Sequence, residues 1–169
     1  MNSGTLVGSL IFATVLVVTI AAVLALMMRG WRRRAQQQAE RIGELPDVPG
    51  QVGAATATLR GVYVGCTLSP AWNDRVNAGD LGYRSKAVLT RHQDGILLER
   101  IGAQPLWIPW QSITALRAER GIAGKVAARD GILAIRWQLP SGVEIDTGFR
   151  ADNRDDLDGW VDGWTEGAA

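Results

Sequence analysis

The sequence predicts an N-terminal transmembrane α-helix followed by a mainly β domain, a seven-stranded barrel or sandwich closed by a C-terminal amphipathic helix. Three observations predict this fold class. An uncharged apolar run of 24 residues stands near the start of the chain. Period-two alternation broken by turn signals fills most of the remainder, and a tryptophan-bearing helical pattern comes last. The 169 residues suffice for one such domain and an anchor.

The apolar run extends from Thr5 to Met28, after a short tail of residues 1–4. A helix of this length spans roughly 36 Å, and the hydrocarbon core of a bilayer is about 30 Å thick, so a modest tilt fits it. No basic residues precede the run, and it is longer than the apolar region of a signal peptide. We therefore expect an uncleaved anchor.

Gly4 and Gly8 have GxxxG spacing at the start of this run, a pattern that can bring two helices together. The pair lies near the end of the segment, and glycines four residues apart are common by chance. A homodimer through this pair is therefore kept only as an alternative.

A basic segment follows the apolar run, because residues 29–45 hold five arginines and two glutamates, a net charge of +3. Arginines beside a membrane span stay in the cytoplasm, so we expect the N-terminus outside the plasma membrane and the domain inside. A tryptophan suits the headgroup level, and the cations attract anionic lipid. The predicted membrane-surface residues are Arg29, Trp31, Arg32, Arg33 and Arg34.

Good helix formers continue through residues 29–45, so a basic juxtamembrane helix is predicted there. Pro46, Pro49 and Gly50 are predicted to end that helix. Residues 46–57 are predicted to be a linker that lets the domain move over the membrane. The β domain is predicted to occupy residues 58–166.

Seven short strands alternate with turn signals in the middle of the chain. Two hairpins are the clearest, since Asp94-Gly95 and Pro140-Ser141-Gly142 each separate two apolar-alternating runs. A long loop is predicted at residues 69–82 and a shorter one from Gly121 to Gly124. The predicted strands lie at 59–66, 87–91, 96–101, 106–108, 113–117, 132–139 and 143–149.

The last predicted element is a helix over residues 153–166. Asp152 or Asn153 can cap it. One face of the helix is apolar, at positions i, i+3, i+4 and i+7, which are Leu157, Trp160, Val161 and Trp164. We expect this face to pack on an open end of the curved sheet.

Composition argues against several classes of function. The net charge of +1 gives no drive toward nucleic acid. The single histidine, His92, and the single cysteine, Cys66, cannot make a disulfide or a typical zinc site. No nucleophile–base pair and no phosphate-binding loop is evident, so we expect no enzyme, no catalytic residue, no metal and no cofactor.

Two consecutive pieces of the sequence, together with the closing helix, resemble the pleckstrin-homology-like (PH-like) superfamily. They are the hairpin Ala87–Leu98 and the segment Leu106-Trp107-Ile108-Pro109-Trp110-Gln111-Ser112-Ile113. The whole chain resembles small actinobacterial membrane proteins with one N-terminal span and a cytoplasmic PH-like domain, some of them labelled as export or transport proteins. The resemblance implies a binding module.

Candidate site residues come from two places in this domain. Arg75, Arg84 and Lys86 surround the first long loop, but they are scattered, unlike the clustered cations of phosphoinositide-binding relatives. Trp107 and Trp110 flank Ile108-Pro109 and are either a binding surface or core.

Two functions remain open from the sequence. The first is a membrane-anchored, non-enzymatic module that binds a protein or peptide, for example at a sheet edge. The alternative is a lipid-binding or transport and export accessory role that uses the basic juxtamembrane patch. The bilayer is an expected partner in both cases.

Overall fold

The structure is a computed structural model that describes residues 3–71, 73–119, 121–122, 125–126 and 131–165. The chain divides into two compact units, Met1–Gln37 and Gln38–Ala169. The first consists of helix α1, Ser3–Ile42, up to its residue Gln37. Within this helix Val7–Ile42 is long and apolar enough to cross a membrane. The predicted N-terminal apolar helix is thereby confirmed.

Helix α1 ends at Ile42, three residues before the predicted end of the juxtamembrane helix. Gly43 adopts a φ of +67°, and its N–H donates to the carbonyl of Ala39 over 2.9 Å. A glycine in this left-handed conformation is a common helix terminator, because it lacks the Cβ that makes positive φ costly. Pro46 and Pro49 are therefore not what stops the helix.

The boundary between the two units also differs from the predicted linker, residues 46–57. Ile42 is buried in the core of the second unit, and Leu45 packs against that core. Farther along, the N–H of Thr56 donates to the carbonyl of Arg91 over 2.9 Å. These contacts tie the segment to the β domain, so the second unit begins at Gln38.

The β domain is built on a seven-stranded antiparallel sheet in the order β4-β3-β2-β1-β9-β8-β5, and a helix follows it. This arrangement confirms the predicted fold class. The elements are β1 (Ala57–Leu68), β2 (Ser85–Arg91), β3 (Gly95–Arg100), β4 (Leu106–Pro109), a 3₁₀ turn (Trp110–Ser112), β5 (Ile113–Glu119), β6 (Gly121–Ile122), β7 (Lys125–Val126), β8 (Ile132–Gln138), β9 (Glu144–Ala151) and α2 (Asp155–Thr165).

Strand β1 belongs to both halves of this sheet. It pairs with β2 from Ala57 to Tyr63 and with β9 from Gly61 to Leu68. The register with β9 shifts between Tyr63 and Gly65, and Gly65 has a φ of +136°. A bulge of this kind bends a strand and increases its twist, which allows one sheet to curl around a single core.

The core lies between the two halves of the curled sheet. Trp137, Phe149 and Leu89 are fully buried there. Helix α2 covers one end of the core with Leu157 and Trp160. The other end is covered by the described residues of the loop between β1 and β2, which we call the closing loop (residues 69–71 and 73–84), together with Ile42. The buried residues of the closing loop are Val76, Ala78 and Leu81.

Helix α2 runs from Asp155 to Thr165, within the predicted range. The side-chain oxygen of Asn153 accepts a hydrogen bond from the N–H of Asp155 over 3.3 Å, which supports the predicted cap. Leu157 and Trp160 are buried as expected. Glu166 and the side chain of Trp164 lie outside the described residues.

The predicted loop from Gly121 to Gly124 is instead part of a small two-stranded hairpin. Gly121 pairs with Val126 and Ile122 with Lys125, whereas residues 123 and 124 lie outside the described part of the chain. Ile122 packs with Val64, Ile132 and Ala134 in a small cluster separate from the main core.

Candidate interaction surfaces

The strand order leaves β4 and β5 at the two edges of the sheet. Strand β4 has four residues and ends at Pro109, whereas β5 has seven residues, Ile113–Glu119. Among the described residues β5 pairs only with β8, so its other side presents backbone donors and acceptors that no strand uses. Helix α2 packs against β5. Strand β5 is therefore the longer free edge, and it lies beside a helix.

Side-chain bonds connect β5 to β9, across the strand β8 with which β5 pairs. Arg117 on β5 and Arg136 on β8 donate to the buried carboxylate of Asp146 over 3.0 and 2.9 Å. Burial raises the pKa of Asp146, but the hydrogen bond from Arg136 and the charge of Arg117 outweigh it, so the pKa is lowered. Thr114 donates to Glu144 over 2.9 Å. Arg117 also forms an ion pair with Glu119 on the same strand.

Trp107 and Trp110 do not form one exposed aromatic surface. Trp107 is only 4% exposed, and its ring lies 6.3 Å from that of His92 and closely against Gly95. The indole N–H of Trp110 donates to the carbonyl of His92 over 2.9 Å, and this half-buried ring packs on the main core. Both tryptophans therefore occupy packing positions.

Arg91, which the sequence did not single out, lies where α2 meets the sheet. Its guanidinium carbon is 5.5 Å from the ring centre of Trp110 and 4.9 Å from that of Trp160. Its Nη2 donates to the carbonyl of Trp160 over 3.0 Å. Desolvation by burial lowers the pKa of Arg91. Cation–π contacts of this type are favourable, so Arg91 holds α2 on the sheet.

Arg100 has a similar place at the other end of the core. Its side chain is fully buried and forms an ion pair with Asp80 at 2.9 Å. It also donates to the carbonyls of Asp80 and Gln104 over distances of 2.6 to 3.0 Å. The N–H of Gln104 returns a bond to the Asp80 carboxylate over 2.7 Å. Arg100 thus joins the closing loop to the β3–β4 turn.

The three predicted cations near the closing loop are not brought together. Arg75 donates to the carbonyls of Gly82 and Val64 over 2.6 and 3.4 Å, so its guanidinium is used within the fold. Arg84 and Lys86 are exposed. The end of the core that they surround is filled by the buried residues of the closing loop and by Ile42.

The architecture therefore combines a curled seven-stranded antiparallel sheet with a helix that closes one end. A family model described as bacterial PH domain-like matches residues 42–165, more than half of the chain. The chain belongs to this family. No curated protein matches the sequence. The match begins at Ile42, the last residue of α1, and ends in α2.

A chain of hydrogen bonds runs through the core of the PH-like domain. Tyr63 donates to the carbonyl of Leu81 over 2.5 Å and lies 3.1 Å from Cys66 Sγ. Cys66 Sγ lies 3.2 Å from the hydroxyl of Thr147, which also accepts from the indole of Trp137 over 2.8 Å. Burial raises the pKa of Cys66 and, more strongly, that of Tyr63. The thiol stays protonated and is a poor nucleophile.

No group of three or more His, Cys, Asp or Glu side chains that could hold a metal ion occurs among the described residues. His92 is buried, with Nδ1 3.2 Å from the carbonyl of Gly53. PH-like domains are generally non-catalytic.

The predicted membrane-surface residues all lie on α1, directly after its apolar stretch. Trp31 is 76% exposed, and the arginine side chains are also exposed. These residues are Arg29, Arg32, Arg33 and Arg34. Their role at a membrane surface stays a prediction.

Proposed function

We propose that this chain is a membrane-anchored, non-enzymatic interaction module whose PH-like domain binds a protein or peptide partner as an added strand on β5. The observation that carries the proposal is the free edge of β5 beside α2. An extended peptide laid on such an edge gains main-chain hydrogen bonds, and its alternate side chains give specificity.

The closing-loop end of the domain offers no comparable site, which also favours the edge of β5 as the binding surface. The cations there do not converge, and the space between the loops is filled by apolar side chains of the closing loop and α1. A small anionic ligand would have to displace buried residues such as Val76 and Leu81. The sheet edge needs no such rearrangement.

Helix α1 would supply the anchor, with the N-terminus outside and the PH-like domain in the cytoplasm. The arginines after the apolar stretch favour this orientation. An anchor confines the domain to the membrane surface and so raises its effective concentration toward partners in the same membrane. A protease added outside intact cells should leave the domain uncut; removal of the C-terminal portion would contradict this orientation.

Site-specific crosslinking in cells tests the binding surface. A photoreactive amino acid replaces Ala118, which is exposed on the edge strand β5. The matched control places the same amino acid at Glu99, exposed on the interior strand β3. We expect a discrete crosslinked partner from position 118 and none from position 99.

Hydrogen exchange of the purified complex then provides the second measurement. Amides of β5 should gain protection when the partner is bound, whereas those of β3 should not change. Equal crosslinking from both positions, or a complex that leaves β5 unprotected, would exclude strand addition at this edge.

A second function, an accessory role in lipid binding or in transport and export, rests on the four arginines after the apolar stretch. Each cation near an anionic surface contributes about 1 kcal/mol. Anionic lipid should therefore copurify with the full chain and be lost when these four residues are replaced by glutamine. Equal lipid retention by both proteins would rule out this electrostatic role.

A further inference from the structure

The charge of the PH-like domain is unevenly distributed, and its negative excess lies on α2. Residues 152–162 hold five aspartates and one arginine, a net charge of −4, and all six of these side chains are exposed. Residues 38–112 are balanced, with seven acidic and seven basic residues, and residues 113–151 have a net charge of +2. The free edge of β5 therefore lies beside the most acidic element of the domain.

The contacts of α2 show which of its sides borders β5. Arg91 of β2 reaches the ring and the carbonyl of Trp160, so the Trp160 border of the buried face lies toward β2. The other border is Val161, which packs partly buried against the core, and α2 also packs against β5. Residues three apart are neighbours on a helix surface, so Asp158 lies next to Val161. Asp158 is therefore exposed on the side of α2 that borders β5.

Strand β5 leaves room for another chain on the same side. Leu116 and Ala118 are two residues apart and so share one face of the strand. Leu116 is 6% exposed and belongs to the core that α2 covers, whereas the small side chain of Ala118 is exposed. A strand added to this edge would place every second side chain between Ala118 and the acidic side of α2.

On the opposite face of β5 the charges are already paired within the domain. Arg117 donates to the buried carboxylate of Asp146 and forms an ion pair with Glu119. Opposite charges in direct contact largely cancel one another at a distance, so this face gives an added strand little preference for either sign of charge. The choice of a charged partner must then come from the α2 side.

We propose that the strand added to β5 is an extended, lysine- or arginine-rich segment whose cationic side chains lie along the acidic side of α2. The inference rests on the proposed function, because the main chain of this segment would pair with the edge of β5. Long cationic side chains suit the place, since their aliphatic stems can cover Ala118 and Val161 while their charged ends reach carboxylates. Segments of this composition flank the cytoplasmic ends of membrane spans, where an anchored domain would meet them.

The test uses the full chain in nonionic detergent and fluorescein-labelled peptides of about eight residues, the length of a strand. In the first peptide lysine alternates with threonine, and in the others glutamine or glutamate replaces lysine. Fluorescence anisotropy measures the affinity of each peptide. We expect the lysine peptide to bind about tenfold more tightly than the glutamine peptide, and the glutamate peptide to bind most weakly. The differences should shrink at high salt.

Substitutions on α2 locate the source of this preference. Asp155→Asn together with Asp158→Asn should weaken binding of the lysine peptide by on the order of tenfold and leave that of the glutamine peptide unchanged. The unchanged glutamine peptide shows that α2 stays in place, although aspartates in a first helical turn favour the helix. The matched control is Asp47→Asn with Glu99→Gln, two exposed acids outside α2 and β5, which should alter neither affinity.

Equal affinity for the lysine and glutamine peptides, equal weakening by the control substitutions, or no binding of any peptide would overturn the cationic preference. Strand addition is judged separately, because the lysine peptide should crosslink to a photoreactive residue at position 118 and not to one at position 99. Crosslinking at 118 without charge preference would contradict only the inference about charge. Equal crosslinking from both positions would contradict strand addition on β5 as well.

Discussion

An arginine lies at each end of the PH-like core, but the contacts of the two arginines differ. At the α2 end, half-buried Arg91 lies within 5.5 Å of the ring centres of both Trp110 and Trp160 and donates to one carbonyl. At the closing-loop end, fully buried Arg100 is paired with Asp80 and also donates to the carbonyls of two residues.

The two arginines differ in which groups lose a partner when the arginine is substituted. Around Arg91 the partners are mostly aromatic surfaces, which another apolar side chain can cover. Arg100 also lies over one ring, that of Tyr63 at 4.9 Å, but its hydrogen-bond partners are a carboxylate and two carbonyl oxygens, which lose the bonds that Arg100 donates. A buried ion pair is costly to break from one side even where it adds little net stability. The closing-loop end should therefore be the more sensitive of the two.

The largest effect is expected from Arg100→Met. The substitution removes the cation paired with Asp80, whose carboxylate keeps the N–H of Gln104, and it leaves the carbonyl of Gln104 without the Arg100 donor. It should lower the free energy of unfolding by about 3 kcal/mol. Denaturant unfolding of the full chain in detergent measures it. The matched control is Arg84→Met, an exposed arginine whose loss should change stability by less than about 0.5 kcal/mol. Equal effects of the two would show that Arg100 is not structurally special.

An intermediate effect is expected at the same end from Ile42→Ala. Ile42 is 3% exposed and lies in the main core, so truncation removes buried methylene groups and leaves a cavity. We expect a loss of about 2 kcal/mol in the same unfolding measurement. Arg41→Ala, at the exposed neighbouring position, serves as the control. Identical stability of the two variants would mean that the last turn of α1 does not support the core.

The smallest effect is expected from Arg91→Met, which keeps an apolar side chain near the two rings. It loses the cation–π contacts and one hydrogen bond, a cost of about 1 kcal/mol. Hydrogen exchange should become faster in α2 while the closing loop is unchanged. A loss as large as that of Arg100→Met would remove the contrast between the two ends.

The elements that the sequence predicted well depend on local signals. Period-two alternation and the two hairpin turns placed the strands because a turn and its flanking residues are close in the chain. The left-handed glycine at position 43 acts just as locally, but two prolines three and six residues later gave a more obvious stop signal. Helix α2 was recognisable because its apolar face repeats at helical spacing.

The two ends of the core were not predictable in the same way, because their contacts join distant residues. Arg91 meets Trp160 across 69 positions, and Arg75 looked like a surface cation although its partners are carbonyls of the fold. Trp107 and Trp110 are close in sequence yet have different surroundings. The burial of Ile42 could have been predicted, since Ile42 and Leu45 are apolar residues three positions apart in a polar segment.

The start of the folded unit at Gln38 has a practical consequence for protein production. The side-chain oxygen of Gln38 accepts from the N–H of Asn77 over 3.0 Å, and its amide nitrogen donates to the carbonyl of Arg75 over 3.4 Å. A soluble fragment cut at the first strand, near Thr58, would discard these bonds and uncover the apolar residues beneath Ile42. Fragments for crystallisation or NMR should therefore keep the final turn of α1, and the shorter ones should aggregate.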